Sequence, residues 1–123
     1  MTLSKQDTAV FVLVALLLFT SSVFITNAWA GDSKRIEMTA KEFSFEPDHL
    51  TVEHGQTVVI VFHNKGVLSH NLSIDGLGVK TKTIYPDETD KVVFTPEKSG
   101  KYPFRCAVPG HTEAGMRGIL IVR

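Results

Sequence analysis

A segment near the carboxyl end of the sequence holds three side chains that can bind a transition metal. They are the thiol of Cys106, the imidazole of His111 and the thioether of Met116. Four residues separate Cys106 from His111, and four more separate His111 from Met116. Pro109 and Gly110 allow the sharp turn that such a loop needs in order to fold back on itself. The spacing therefore predicts that the three donors converge on one point, and that a further ligand comes from elsewhere in the chain.

The donor types favour copper over other metals. Thiolate and thioether suit Cu(I), and imidazole suits both oxidation states of copper. Zinc also takes Cys and His, but methionine is a poor zinc ligand and structural zinc sites usually contain more thiolates. Iron–sulfur clusters need several cysteines, whereas Cys106 is the only one in the sequence. Taken singly, Cys106 could be a buried structural thiol and Met116 a core side chain.

The second histidine ligand must come from the other four histidines. His49 and His54 lie in or beside polar turns, which is typical of surface histidines. His63 ends an apolar run, and His70 follows a glycine turn and enters a strand. Spacing alone does not distinguish His63 from His70.

The elements that must position these residues are strands. From Arg35 onward, apolar and polar residues alternate in short runs that Gly, Pro, Asn or Asp interrupt. Seven or eight short strands at this spacing predict an all-β fold, an antiparallel sandwich or barrel. Alternation places Tyr102, Phe104 and Cys106 on the core side of one strand. We therefore expect the Cys106 thiol to point inward at the end of that strand.

The first thirty residues have the layout of an export signal. Lys5 precedes an uncharged apolar run from Ala9 to Phe19, and Ala28-Trp29-Ala30 matches a small-residue cleavage site. Cleavage after Ala30 would leave residues 31–123 as the mature domain. The alternative is an uncleaved membrane anchor, since the uncharged stretch 8–30 is long enough to span a bilayer. Export would place the domain in the periplasm or another extracytoplasmic compartment.

Composition excludes some classes of function. Thirteen basic and thirteen acidic residues give a formal net charge of zero. The sequence has no basic run, which argues against nucleic-acid binding. The chain has room for one domain, and small exported domains often gain stability from disulfides or a metal. One cysteine cannot form an intramolecular disulfide, so this thiol needs a metal, a partner or deep burial.

The segment from Gly100 to Val122 contains the run G-x-Y-x-F-x-C … P-G-H … G-M-x-G. This run resembles the ligand loop of the cupredoxins, and it is similar to that of plastocyanin- and auracyanin-like blue copper proteins. The motif from Phe43 to Pro47 and the pair His70-Asn71 also match that family, so the resemblance covers essentially the whole of residues 31–123. It implies an eight-stranded Greek-key β-sandwich with one copper ion. By position, the implied ligands are equatorial His70, Cys106 and His111 and axial Met116.

The resemblance also implies a role for Asn71, which would tie the two ligand loops together near the Cys106 sulfur. Two features depart from plant plastocyanins. The step from Cys106 to His111 is longer, which bears on the colour and potential of the copper, and acidic docking patches are not evident.

The expected function is one-electron transfer between redox partners through the Cu(II)/Cu(I) couple, by a monomeric protein that is not an enzyme. Electrons would pass through His111, and a small apolar surface beside it would dock the partner. That surface is expected to include Val67, Leu68, Val108 and Pro109. The alternative is a copper carrier that delivers the metal to an exported enzyme.

Overall fold

The structure is a computed structural model that describes residues 32–123. These residues form nine strands and no helix. The strands are β1 (Lys34–Lys41), β2 (Ser44–Glu46), β3 (His49–Val52), β4 (Val58–Asn64), β5 (Ser73–Ile74), β6 (Val79–Lys80), β7 (Thr89–Phe94), β8 (Gly100–Arg105) and β9 (Arg117–Val122). Within residues 32–123, nothing helical has the length and hydropathy to cross a bilayer. The export signal or anchor predicted for residues 1–30 lies outside the described residues and stays a prediction.

The strands form two sheets, which confirms the predicted all-β sandwich. One sheet has the order β2-β1-β4-β7 and the other the order β3-β9-β8-β5-β6. The chain passes from one sheet to the other after β2, β3, β4, β6 and β7, so most neighbours within a sheet are not neighbours in sequence. The fold therefore brings residues from distant parts of the chain to the same end of the sandwich.

Strand direction and strand number differ from the simplest expectation. The β1–β4 and β3–β9 pairs are parallel, whereas the other strand pairs are antiparallel. Apolar alternation is the same in both directions, so the sequence pattern could not show this. The count is nine rather than seven or eight because β5 and β6 are separate pieces of two residues each.

The hydrophobic core lies between the two sheets. Phe104 lies 5.4 Å from Phe45, and Phe45 lies 6.2 Å from Phe62, measured between ring centroids. Gly118 leaves room for this packing, because a Cβ there would overlap the Phe104 ring and the Asp48 carbonyl oxygen. The core continues to one end of the sandwich, where it includes the side chains of Cys106 and Met116. Burial of each large apolar side chain contributes about 1.5–3 kcal/mol to folding. This core therefore stabilises the end of the sandwich that carries Cys106 and Met116.

Candidate metal centre

The loop that follows β8 folds back on itself, as its spacing predicts. The Cys106 N–H donates to the Met116 carbonyl at 3.1 Å, and the Met116 N–H donates to the His111 carbonyl at 3.0 Å. Gly110 and Gly115 have φ angles of 86° and 103°, a region that glycine adopts without steric cost. The backbone thus holds Cys106, His111 and Met116 together before any metal binds.

A second loop, between β4 and β5, carries His70. The backbone of His70 pairs with that of Ile84 through two hydrogen bonds of 3.1 and 2.9 Å. The buried Asn64 organises the turn before it: its amide donates to the Leu68 and Ile84 carbonyls, and its carbonyl accepts from the Gly66 N–H. Because these backbone and Asn64 groups are paired, the loop has a defined conformation at His70.

The two loops bring three donor atoms together. The Nδ1 atoms of His70 and His111 lie 3.2 Å apart, and Cys106 Sγ lies 3.5 Å from His111 Nδ1 and 4.0 Å from His70 Nδ1. A trigonal centre with metal–nitrogen bonds of about 2.0 Å and a metal–sulfur bond of about 2.3 Å needs separations of about 3.5 and 3.7 Å. The two sulfur–nitrogen separations lie on either side of the required value, and the nitrogen–nitrogen separation of 3.2 Å is slightly shorter than required. Small side-chain adjustments would therefore fit a metal ion in a His₂Cys plane.

The centre is shielded from water. Cys106, His70 and Met116 are fully buried, and 8 % of His111 is exposed. Burial lowers the pKa of His70, and the neighbouring His111 lowers it further, while Glu42 acts in the opposite direction. A neutral imidazole is the form that binds a metal, so the low pKa of His70 favours binding.

Asn71 links the two loops, as the family resemblance implies. Its backbone N–H approaches Cys106 Sγ at 3.5 Å. Its side-chain carbonyl accepts from the Ala107 N–H at 2.6 Å, and its amide donates to Thr83 Oγ1 at 2.9 Å. Hydrogen bonds of this kind orient the ligands of a metal site and tune the metal.

The other three histidines stay apart from this cluster. Both ring nitrogens of His63 are engaged, Nε2 with Glu37 at 2.6 Å and Nδ1 with Thr89 at 3.0 Å. His49 pairs with Asp48, and His54 with the Arg123 carbonyl. Within residues 32–123, His70, Cys106 and His111 form the one group of three potential ligands. The structure therefore brings His70, and not His63, beside Cys106 and His111.

Sequence reasoning missed two residues beside the centre, Glu42 and Phe43. They form the turn between β1 and β2, where Phe43 has a φ angle of 58°. Because of this conformation, the Phe43 side chain does not point into the core as alternation along a strand would require. Phe45 is buried, whereas Phe43 is 41 % exposed. The Phe43 ring packs edge-on against the His111 imidazole, with centroids 5.3 Å apart. The pattern F-S-F suggests two core residues, and no sequence signal marked the positive φ.

Glu42 lies behind His70. Its Oε1 accepts hydrogen bonds from the Val67 and Leu68 N–H groups at 2.5 and 3.2 Å, and lies 3.6 Å from His70 Nε2. The Val67 N–H, and then the Leu68 N–H, lower the pKa of the Glu42 carboxyl. The carboxylate is therefore ionised at neutral pH. At 3.6 Å its contact with His70 is longer than a hydrogen bond.

The fold and the donor set define a mononuclear copper protein of the β-sandwich type. The model of the cupredoxin-like domain family matches residues 8–122. The chain belongs to the cupredoxin family, and copper is its cofactor.

Comparisons with individual proteins agree. The copper-resistant cuproprotein CopI of Rubrivivax gelatinosus is 28% identical in an alignment that covers 76% of this chain and 71% of CopI. Auracyanin A, a "blue" copper protein of Chloroflexus aurantiacus, superimposes with a TM-score of 0.64 and 27% identity, over 72% of this chain and 98% of that one. Dithionite-reduced auracyanin of Roseiflexus castenholzii, 24% identical, has the same fold with a TM-score of 0.68, over 74% and 98% of the two chains.

Proposed function

We propose that this protein carries single electrons between redox partners. In this proposal His70, Cys106 and His111 are the equatorial ligands and Met116 is the axial ligand. Bound copper supplies the one-electron Cu(II)/Cu(I) couple. The protein holds the donors in place, excludes water from them and presents one ligand, His111, towards the surface.

The observation that carries the proposal is the arrangement of the donors around a buried point. Three donor atoms lie within 4.0 Å of one another, on loops fixed by backbone hydrogen bonds. A rigid ligand set changes little when one electron is added or removed, which keeps the energetic cost of transfer low. The same burial leaves no open position for a reactant, so we propose that the protein is not an enzyme.

The route for electrons runs through His111. This residue is the one equatorial candidate with any exposure, and the Phe43 ring that packs on it is 41 % exposed. Leu68 and Val67, whose N–H groups donate to Glu42 beside Phe43, are 42 % and 79 % exposed. We call Phe43, Val67 and Leu68 the docking patch; Val108 and Pro109, which we also expect near it, belong to the His111 loop. A small apolar surface of this kind suits a brief encounter with another protein.

Electron self-exchange tests this function, because two copies of the protein serve as donor and acceptor. NMR line broadening in mixtures of the oxidised and reduced full-length chain gives the rate. We expect Val67→Asp to slow self-exchange by about tenfold. Each of the two copies then carries a negative charge on its docking patch, and these like charges repel when the two patches meet. The matched control is Val93→Asp, which changes an exposed valine on β7. Equal rates in the two variants would contradict the assignment of the docking patch.

A copper carrier is the second candidate, and the similarity to a protein named as a copper-resistant cuproprotein favours it. Delivery requires rapid release of the metal, whereas the proposed ligands are almost fully buried. Extraction of Cu(I) by a chelator separates the two functions. Release within seconds at a mild excess of chelator would support delivery, and retention over hours supports electron transfer.

We also propose that the protein is exported, with residues 1–30 as a signal or anchor and residues 31–123 as a monomeric copper domain. The apolar run followed by Ala28-Trp29-Ala30 supports this division. Mass spectrometry of the protein from its host distinguishes an amino terminus at Gly31 from an uncleaved chain. Light scattering of the same sample measures the oligomeric state.

A further inference from the structure

The ring of His70 has one nitrogen that the metal centre does not use. His70 Nδ1 faces Cys106 and His111, whereas His70 Nε2 points the other way. His70 is fully buried, and among residues 32–123 its Nε2 is the one buried side-chain nitrogen or oxygen without a hydrogen-bond partner. Buried polar atoms nearly always have a hydrogen-bond partner. The unpaired Nε2 of His70 is therefore unusual, and the group that lies nearest to it needs to be identified.

The group that faces this nitrogen is the Glu42 carboxylate. Its Oε1 lies 3.6 Å from His70 Nε2, and the same oxygen accepts the Val67 and Leu68 N–H groups. Two backbone donors therefore hold the carboxylate against the loop that carries His70. A shift of about half an ångström would bring Oε1 within hydrogen-bond distance of Nε2.

Gly66 shows that the chain keeps space for this contact. A Cβ at residue 66 would overlap Glu42 Oε1 and would lie 3.0 Å from His70 Nε2. The φ angle of Gly66 is not among the positive ones, so its backbone does not require glycine. The absence of a side chain at this position serves the Glu42–His70 contact.

We propose that Glu42 is a positioning residue for the metal centre, which keeps the His70 proton on Nε2 and lowers the reduction potential through its charge. A neutral imidazole has one N–H, and a carboxylate acceptor beside Nε2 holds it there. Nδ1 is then free to donate to the metal. A nearby negative charge favours Cu(II) over Cu(I), because Cu(II) has the larger positive charge.

Three variants separate the hydrogen bond from the charge. Glu42→Gln keeps an oxygen that can accept from Val67, Leu68 and His70 but removes the charge. Glu42→Ala removes both. Glu46→Gln is the control, since it removes a carboxylate from the neighbouring strand β2, where the Glu46 side chain is 79 % exposed.

The first measurement uses the metal-free, full-length chain. Nitrogen-15 NMR of the His70 ring reports which nitrogen carries the proton. We expect Nε2–H in the wild type, in Glu42→Gln and in Glu46→Gln, and a mixture of the two forms in Glu42→Ala. A wild-type ring with the proton on Nδ1, or an unchanged ring in Glu42→Ala, would overturn the positioning role. If Glu42→Ala does not fold, Gly66→Ala displaces the carboxylate instead and should give the same mixture.

The second measurement is the ratio of the affinity for Cu(II) to the affinity for Cu(I). This part of the proposal rests on the proposed function. We expect Glu42→Gln to lower this ratio about tenfold, equivalent to a rise in potential of about 59 mV for a one-electron couple. Glu46→Gln should leave it unchanged, and equal shifts in the two variants would overturn the effect of the charge. A wild type that lacks a copper–thiolate spectrum would refute the proposed function instead, and the NMR result on the metal-free chain would still decide the position of the proton.

Discussion

The link that Asn71 makes between the two ligand loops can be tested by its removal. Asn71→Ala deletes two side-chain hydrogen bonds, one to the Ala107 N–H and one to Thr83 Oγ1. A hydrogen bond contributes about 1 kcal/mol net to stability. We therefore expect Asn71→Ala to lower the free energy of unfolding by about 2 kcal/mol, and to lower the melting temperature by about 10 °C for a domain of this size.

Chemical denaturation of the metal-free protein measures this change without a contribution from copper binding. Thr83→Val is the matched control, because it removes only the Asn71–Thr83 hydrogen bond and should cost about 1 kcal/mol. The difference between the two variants is then the contribution of the Ala107 contact, which joins the His70 loop to the Cys106 loop. If Asn71→Ala costs no more than Thr83→Val, the two loops are held together by other contacts, and our account of the link is wrong.

Three further predictions concern the core, the surface and the pH dependence. Phe104→Ala should cost about 3–5 kcal/mol of folding free energy, measured by denaturation, because Phe104 is fully buried; a loss below about 1 kcal/mol would contradict this packing. Phe43→Ala should speed extraction of copper by a chelator, because the Phe43 ring covers His111; an unchanged rate would show that the ring does not limit access. The hydrogen bond with His63 is the largest cause of the lowered pKa of Glu37. Ionised Glu37 should therefore stabilise the fold above its ordinary pKa of 4.5, and this contribution should vanish as the pH falls through the lower, folded value. The gap in denaturation midpoint between wild type and Glu37→Gln should shrink over that range; a constant gap would argue against the pair.

The part of the centre that is local in sequence could be predicted from the sequence. Cys106, His111 and Met116 lie in one loop, and donor types with turn residues between them indicate convergence without any knowledge of the fold. Alternation in β8 placed Cys106 on the core side, and it is buried. The structure adds the hydrogen bonds that close this loop.

The contribution of His70 could not be derived from spacing, because it depends on contacts across the sandwich. His63 and His70 both end or enter strands, and only the tertiary fold decides which of them meets Cys106. The family resemblance favoured His70, and the cluster contains it. The reason is physical: His63 lies in β4 with both ring nitrogens engaged, while the loop after β4 turns His70 towards Cys106.

The surroundings of the centre were the hardest part to predict. Phe43 follows the alternation of a strand in the sequence, yet it occupies a turn with a positive φ and packs on His111. In the sequence, nothing distinguishes Glu42 from an ordinary exposed acidic residue. Its contacts with Val67 and Leu68 join residues that are 25 and 26 positions apart. Such contacts follow from the way the β1–β2 turn meets the His70 loop, which no local pattern encodes.

The most direct test of the central claim is the visible and electron paramagnetic resonance spectrum of the full-length chain titrated with Cu(II). We predict an intense thiolate-to-copper band that saturates at one copper per chain. It should be absent from Cys106→Ser, lost or strongly altered in His70→Ala, and retained in His63→Ala. A spectrum without this band, or a band that survives in Cys106→Ser, would contradict the account.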